Sequence, residues 1–115
     1  MKDIIELDVF RLAHSLVLRV YQVTESFPKA EIFGLTSQLR RASISIPANL
    51  AEGAKRVSKK EFRYFVSIAR GSCGEMEYLI ELCKDLNYIK EKEYNDLRNG
   101  YRRVAQMLTK LKNAI

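Results

Sequence analysis

The chain has 115 residues, 47% hydrophobic and 30% charged, with a formal net charge of +6. That is enough for one domain, 1–115, with a core large enough to fold without a disulfide or metal staple. Two prolines and five glycines leave little room for a turn-rich β fold. No apolar run approaches the ~20 residues of a membrane span, and Met1-Lys2-Asp3-Ile4-Ile5-Glu6-Leu7-Asp8 lacks the apolar stretch of a signal peptide. The expectation is a cytoplasmic, all-α protein.

The first helix is predicted from about Leu7 to Ser26. It stops before Pro28, whose ring disfavours helix in the residue ahead of it. Phe10, Ala13, Val17 and Val20 form one apolar seam, and Val9, Leu12, Leu16 and Val23 a second beside it. One seam is enough for a bundle core, so Val9, Leu16 and Val23 are assigned to an interface with another copy. The single histidine, His14, shares a face with Arg11, Leu18, Gln22 and Glu25 and reads as a surface imidazole.

After a connection from Pro28 to Gly34, Leu35, Leu39, Ala42, Ile46, Leu50 and Gly53 keep helical spacing across Pro47. Proline removes a backbone hydrogen bond and clashes with the preceding turn. Because the apolar period stays in phase, a kink is expected rather than two helices. Ile44, Ala48 and Ala51 form a strip off the core face and join the expected oligomer interface. Arg41, Ser45, Asn49 and Glu52 lie near one stripe and are expected to form a structural polar network. In it Asn49 is mostly buried and Glu52 pairs with an arginine of the second or third helix.

Ser58-Lys59-Lys60-Glu61 fits a capping box that opens the third helix. Phe62, Phe65, Val66, Ala69, Cys73, Met76, Leu79, Ile80, Cys83 and Leu86 carry its apolar face to about Asn87. Cys73 and Cys83, ten residues apart on one helix, are separated by about 15 Å, beyond disulfide reach; they read as reduced core thiols. Ser67, Gly71 and Gly74 form a small-residue stripe. It is either a tolerated weakness of roughly 1 kcal/mol per glycine or a place where another helix comes close. In the last helix Tyr94, Leu97, Tyr101, Val104, Leu108, Leu111 and Ile115 repeat in three- and four-residue steps. Short connections favour antiparallel neighbours, hence an up-down-up-down four-helix bundle.

The charge is unevenly placed. Between Arg40 and Arg70 lie eight basic residues and two acids, so this stretch carries the whole excess, while the remaining twelve bases and twelve acids cancel. In the predicted topology Lys55, Arg56, Lys59, Lys60 and Arg63 gather with Lys110 and Lys112 at one end. Glu81, Asp85, Glu91, Glu93 and Asp96 gather at the other. A basic cluster of this kind attracts phosphate groups through a term that depends little on sequence. These seven cations are the candidate nucleic-acid-binding residues.

No catalytic constellation accompanies them. Paired Glu-x-x-His motifs for a di-metal centre are missing, no Cys/His cluster has zinc spacing, and no glycine-rich loop follows a strand. The expectation is a non-enzyme without cofactor or metal.

Two blocks are distinctive. One is Gly34-Leu-Thr-Ser-Gln-Leu-Arg-Arg-Ala-Ser-Ile-Ser-Ile-Pro-Ala-Asn-Leu-Ala-Glu-Gly53; the other is Phe62-Arg-Tyr-Phe-Val-Ser-Ile-Ala-Arg-Gly-Ser-Cys-Gly-Glu-Met-Glu77. With them nearly the whole chain resembles the four-helix-bundle proteins encoded in intervening sequences of bacterial 23S ribosomal RNA genes. That family is related to the accessory variability protein of diversity-generating retroelements. The resemblance implies a ring-shaped homopentamer. For the retroelement branch alone it also implies binding to a reverse transcriptase and to nucleic acid. The leading functional expectation is therefore a homo-oligomeric bundle that binds structured RNA or DNA through a basic surface without strong sequence preference. The alternative is a scaffold for an acidic protein partner.

Overall fold

A computed structural model describes residues 3–115. It contains four α-helices, α1 (Asp8–Thr24), α2 (Leu35–Ala54), α3 (Lys59–Asp85) and α4 (Glu91–Ala114), with short 3-10 turns at Ile4–Glu6 and Lys29–Glu31. No strand occurs among the described residues. Consecutive helices pack together and α1 closes against α4, so α1 and α3 lie on a diagonal without packing on each other. Contacts pair Ser45 with Ser72 across α2 and α3, and Glu77 with Arg102 and Glu81 with Tyr94 across α3 and α4. Gly53 faces Phe65 on the same pair of helices as the two serines, so in both cases residue numbers rise on one helix as they fall on its neighbour.

All four helices contribute to one core. On α1 it takes Val9, Ala13, Leu16, Val20 and Val23, all buried, and Phe27 continues the row beyond the helix. This corrects the assignment of Val9, Leu16 and Val23 to an outer interface. The buried row advances by alternating four- and three-residue steps, the spacing that keeps a stripe facing its partner helices. Phe10 and Val17, expected inside, are only half-buried.

The ends of the helices are held by local hydrogen bonds. Ser58 Oγ accepts the Glu61 N–H at 3.1 Å, the expected cap of α3. Asn87, at φ 61°, closes the other end of α3 in the left-handed conformation. There the Tyr88 N–H donates to the Cys83 carbonyl at 2.9 Å and the Asn87 N–H to Lys84 at 3.0 Å, a Schellman closure. That turn delivers Tyr88 to the α1–α2 connection. Its ring lies 5.3 Å from Phe27 and its hydroxyl donates to Glu31 Oε2 at 2.9 Å. Glu31 Oε1 accepts the Leu35 N–H at 3.2 Å, so one carboxylate both caps α2 and ties the two connections together.

Two glycines mark where helices come close. A Cβ on Gly53 would lie 2.7 Å from Cβ of Phe65, and one on Gly100 would lie 2.7 Å from Cδ2 of Leu16. The first neighbour is anchored to backbone; the second is the far end of a flexible side chain. Gly53→Ala is therefore expected to destabilise the chain by about 1–3 kcal/mol through overpacking, and Gly100→Ala by less. Chemical denaturation of both variants checks the order.

The core also sets a pH dependence. Burial pushes the Cys73 and Cys83 thiols up to about 12 and raises the Tyr101 hydroxyl, which has no hydrogen-bond partner among the described residues. Hydrogen bonds to Glu31 and Glu81 raise Tyr88 and Tyr94. The unfolded chain loses these protons from about pH 8.5 for thiols and about pH 10 for phenols, whereas the folded chain keeps them. Above that range the native state binds more protons, so stability falls as pH rises. Denaturant midpoints should show no contribution from these groups below about pH 8 and a steady decline toward pH 11. A flat alkaline profile would contradict the assignment.

Candidate nucleic-acid interface

The α2–α3 junction is short because Gly53 lets α2 end against Phe62 and Phe65. The Lys55 N–H donates to Glu52 at 3.1 Å and the Arg56 N–H to Gly53 at 3.1 Å; Ser58 then starts α3. Lys55, Arg56, Lys59, Lys60 and Arg63 are all exposed here. Arg56 is engaged: its Nη2 lies 2.8 Å from Glu52 Oε1 and its Nη1 3.9 Å from Glu61 Oε2, with the guanidinium 4.9 Å from the Phe65 ring centre. The Arg56–Glu52 pair is about half exposed on both sides, so it contributes roughly 0–1 kcal/mol. Glu52 thus pairs with an arginine of the connection, not of α2 or α3. Glu61 lies toward Arg56, and its carboxylate makes no hydrogen bond back to Ser58 among the described residues, so one half of the expected capping box forms.

The other two expected cations differ. Lys112 lines a groove with Ser67, Arg70, Gly71, Gly74, Glu77 and Ala105, which brings it beside the first half of α3. Lys110 is exposed and no contact ties it to the junction. Acids also approach this end. Thr24 accepts a hydrogen bond from Arg40 Nε at 3.0 Å near the start of α2, and the turn Ile4–Glu6 also touches α2. Together with the groove shared by Phe10 and Ala51, this puts that turn, with Asp3, Glu6, Asp8 and the Arg11 that donates to the Ile5 carbonyl, toward the far end of α2. These acids belong to the diagonal corner, since α1 does not pack on α3.

Arg41, Ser45, Asn49 and Glu52 do not form one network. Ser45 Oγ and Ser72 Oγ are 2.9 Å apart, and Asn49 Nδ2 donates to the Ser45 carbonyl at 2.7 Å and to its hydroxyl at 3.0 Å. Asn49 is of intermediate burial, with the larger part of its surface covered, in line with the expectation. Its side chain reaches Ser45, not the Ser43 carbonyl whose helical partner Pro47 removes. Glu52 turns to Arg56. Arg41 is exposed in a groove of about 530 Å³ between α2 and α3, lined also by Phe33, Ser37, Gln38, Ser45, Ser72 and Glu75.

Of the residues assigned to self-association, Ile44 and Ala48 are exposed and Ala51 half-buried. They line a shallow groove of about 230 Å³ with Phe10, His14, Val17 and Pro47. Phe10 and Val17 replace the buried Val9, Leu16 and Val23 as the α1 side of this apolar surface. His14 is exposed, as expected, and stacks parallel to Phe10 at 6.5 Å. Sequence reasoning passed over Phe33 altogether; an aromatic residue beside Gly34 in a connection was the available signal.

The small-residue stripe is resolved as well. A Cβ on Gly71 or Gly74 would meet nothing within 4 Å, so no helix of this chain comes close there. Among the described residues no group of three or more His, Cys, Asp or Glu side chains is placed to hold a metal. No helix is long and apolar enough to cross a membrane.

These features define a small four-helix bundle with an exposed basic junction between its second and third helices. The chain belongs to the 23S rRNA-intervening sequence protein family, whose model matches residues 5–110. Its fold is similar to the crystal structure of a protein of unknown function from the S23 ribosomal protein family of Bacteroides thetaiotaomicron. The two share 23% identity over 90% of this chain and 97% of the other, with a TM-score of 0.84; at that identity the likeness establishes the fold. No curated protein matches the chain significantly.

Open space at the stripe has a measurable consequence. Gly71→Ala and Gly74→Ala should each stabilise an isolated subunit by about 0.5–1 kcal/mol, since alanine removes unfolded-state freedom without a clash. Loss of stability instead, in thermal melts across a concentration series, would mean that a second molecule packs against these glycines.

Proposed function

We propose that this protein is a non-catalytic, self-associating helical bundle of the cytoplasm that binds RNA or DNA through phosphate contacts, with little dependence on sequence. The observation that carries this reading is the α2–α3 junction. There Lys55, Lys59, Lys60 and Arg63 are exposed and, among the described residues, take no part in a salt bridge. Four uncommitted cations around one turn offer a polyanion several phosphate contacts at once, and each contact releases counterions. Lys112 and Arg70 extend the field along the α3–α4 groove.

Self-association is supported by the uncovered apolar groove at Phe10, Val17, Ile44, Ala48 and Ala51. Contiguous exposed apolar surface of this kind marks interaction sites. A closed ring, a pentamer on the pattern of the resembling family, would repeat the basic junction in every subunit and multiply its field.

Affinity for structured RNA or DNA should fall steeply between low and physiological salt. Replacing Lys55, Arg56, Lys59 and Lys60 by alanine should flatten that dependence while leaving the assembly intact; charge reversal at Lys110 and Lys112 should have a smaller effect in the same direction. Electrophoretic shift across a salt series checks the binding, and light scattering checks the assembly. No binding at low salt would transfer the basic junction to an acidic protein partner, and a 13 kDa particle at micromolar concentration would end the oligomer reading.

A further inference from the structure

We infer that the groove between α2 and α3 is a subsite for an unpaired nucleotide, with Phe33 as the stacking surface for its base and Arg41 as the contact for its phosphate. The inference rests on the nucleic-acid reading above and narrows it to single strands.

Phe33 is 96% exposed, so the fold makes no use of its ring. Yet the backbone that carries it is held in place. The Gly34 N–H donates to the Glu31 carbonyl at 2.9 Å, and the Glu31 carboxylate is itself engaged by the Leu35 N–H and the Tyr88 hydroxyl. A large aromatic ring on a pinned turn loses little freedom when a ligand covers it. Every base has a π-face, so stacking on such a ring is tolerant of sequence.

Arg41 lies about 9 Å along the helix from the start of α2, and its side chain leaves the backbone tilted toward that start. Both residues line the same groove. Among the described residues Arg41 takes part in no salt bridge, although Glu75 borders the groove from α3. Its planar guanidinium presents paired donors that suit a phosphate. Glu75 disfavours a phosphate on the α3 side and can accept from the N–H edge of a base, while Gln38 and Ser72 add neutral hydrogen-bonding groups. At about 530 Å³ the groove is of a size that holds small-molecule ligands, and its mainly polar lining is unlike the apolar trough that receives a peptide helix. The basic junction lies at the other end of α2, so the two features divide the work: the junction attracts any polyanion, and the groove selects strands whose bases are free.

The test uses the full chain at low salt with an eight-nucleotide single strand and with the same sequence as a blunt duplex. The single strand should bind more tightly. Phe33→Ala should weaken it about 5- to 100-fold, leaving duplex affinity and the melting temperature unchanged, and Phe33→Trp should restore binding. Arg41→Gln should weaken the single strand and lower its salt slope by about one. If Phe33→Ala leaves single-strand affinity unchanged, or if the duplex binds as well as the strand, the subsite is refuted while the basic-junction reading stands. If neither nucleic acid binds the wild-type protein, both fall together.

Discussion

The approach of α2 to α3 at Gly53 organises this molecule. A methyl group there would meet Cβ of Phe65 at 2.7 Å, which is backbone-anchored and has nowhere to go. The two helices therefore start their common course nearly in contact and remain paired through Ser45 and Ser72. The basic junction and the α2–α3 groove both depend on that closeness. It makes the junction short enough to crowd five cations around one turn, and it leaves the α2–α3 groove bordered by side chains from both helices.

Crowding of like charge has a cost that the structure only partly offsets. Arg56 is shared between Glu52 and Glu61 and lies over Phe65, which leaves its neighbours without an anionic partner. The N-terminal acids approach the same end, but from the diagonal helix. Both corners carry mixed charge: Arg11 Nε donates to the Ile5 carbonyl beside the N-terminal acids, and Glu52 and Glu61 sit among the cations of the α2–α3 junction.

Much of the fold was legible in the sequence. Four helices follow from apolar periodicity, and the core faces of α3 and α4 were read almost residue for residue, since Val66 to Cys83 and Tyr94 to Leu108 each form a single unambiguous seam. The Ser58 cap was legible because its chemistry is local. On α1 two adjacent seams were equally apolar, and only the helices around it decided that Val9, Leu16 and Val23 turn inward. The partner of Glu52 was missed because Arg56 curls back from a connection, which no helical register describes. The open space at Gly71 and Gly74, and the exposure of Phe33, depend on where other elements are not. Sequence pattern records what a residue could pack against and says little about a neighbour's absence.

Most of the packing joins elements adjacent along the chain: α1 with α2, α2 with α3, α3 with α4. The closure of α1 on α4, the contact of the Ile4–Glu6 turn with α2, and the packing of Tyr88 on Phe27 with its bond to Glu31, 57 residues away, join distant parts. Such a topology has low contact order and favours rapid folding by successive hairpins. The seam between α1 and α4 joins the most distant parts of the chain and so carries the largest loop-closure cost of the four. A subunit with that seam open would display the buried row of α1 to its neighbours, which makes exchange of the first helix between copies the natural misassembly of this fold.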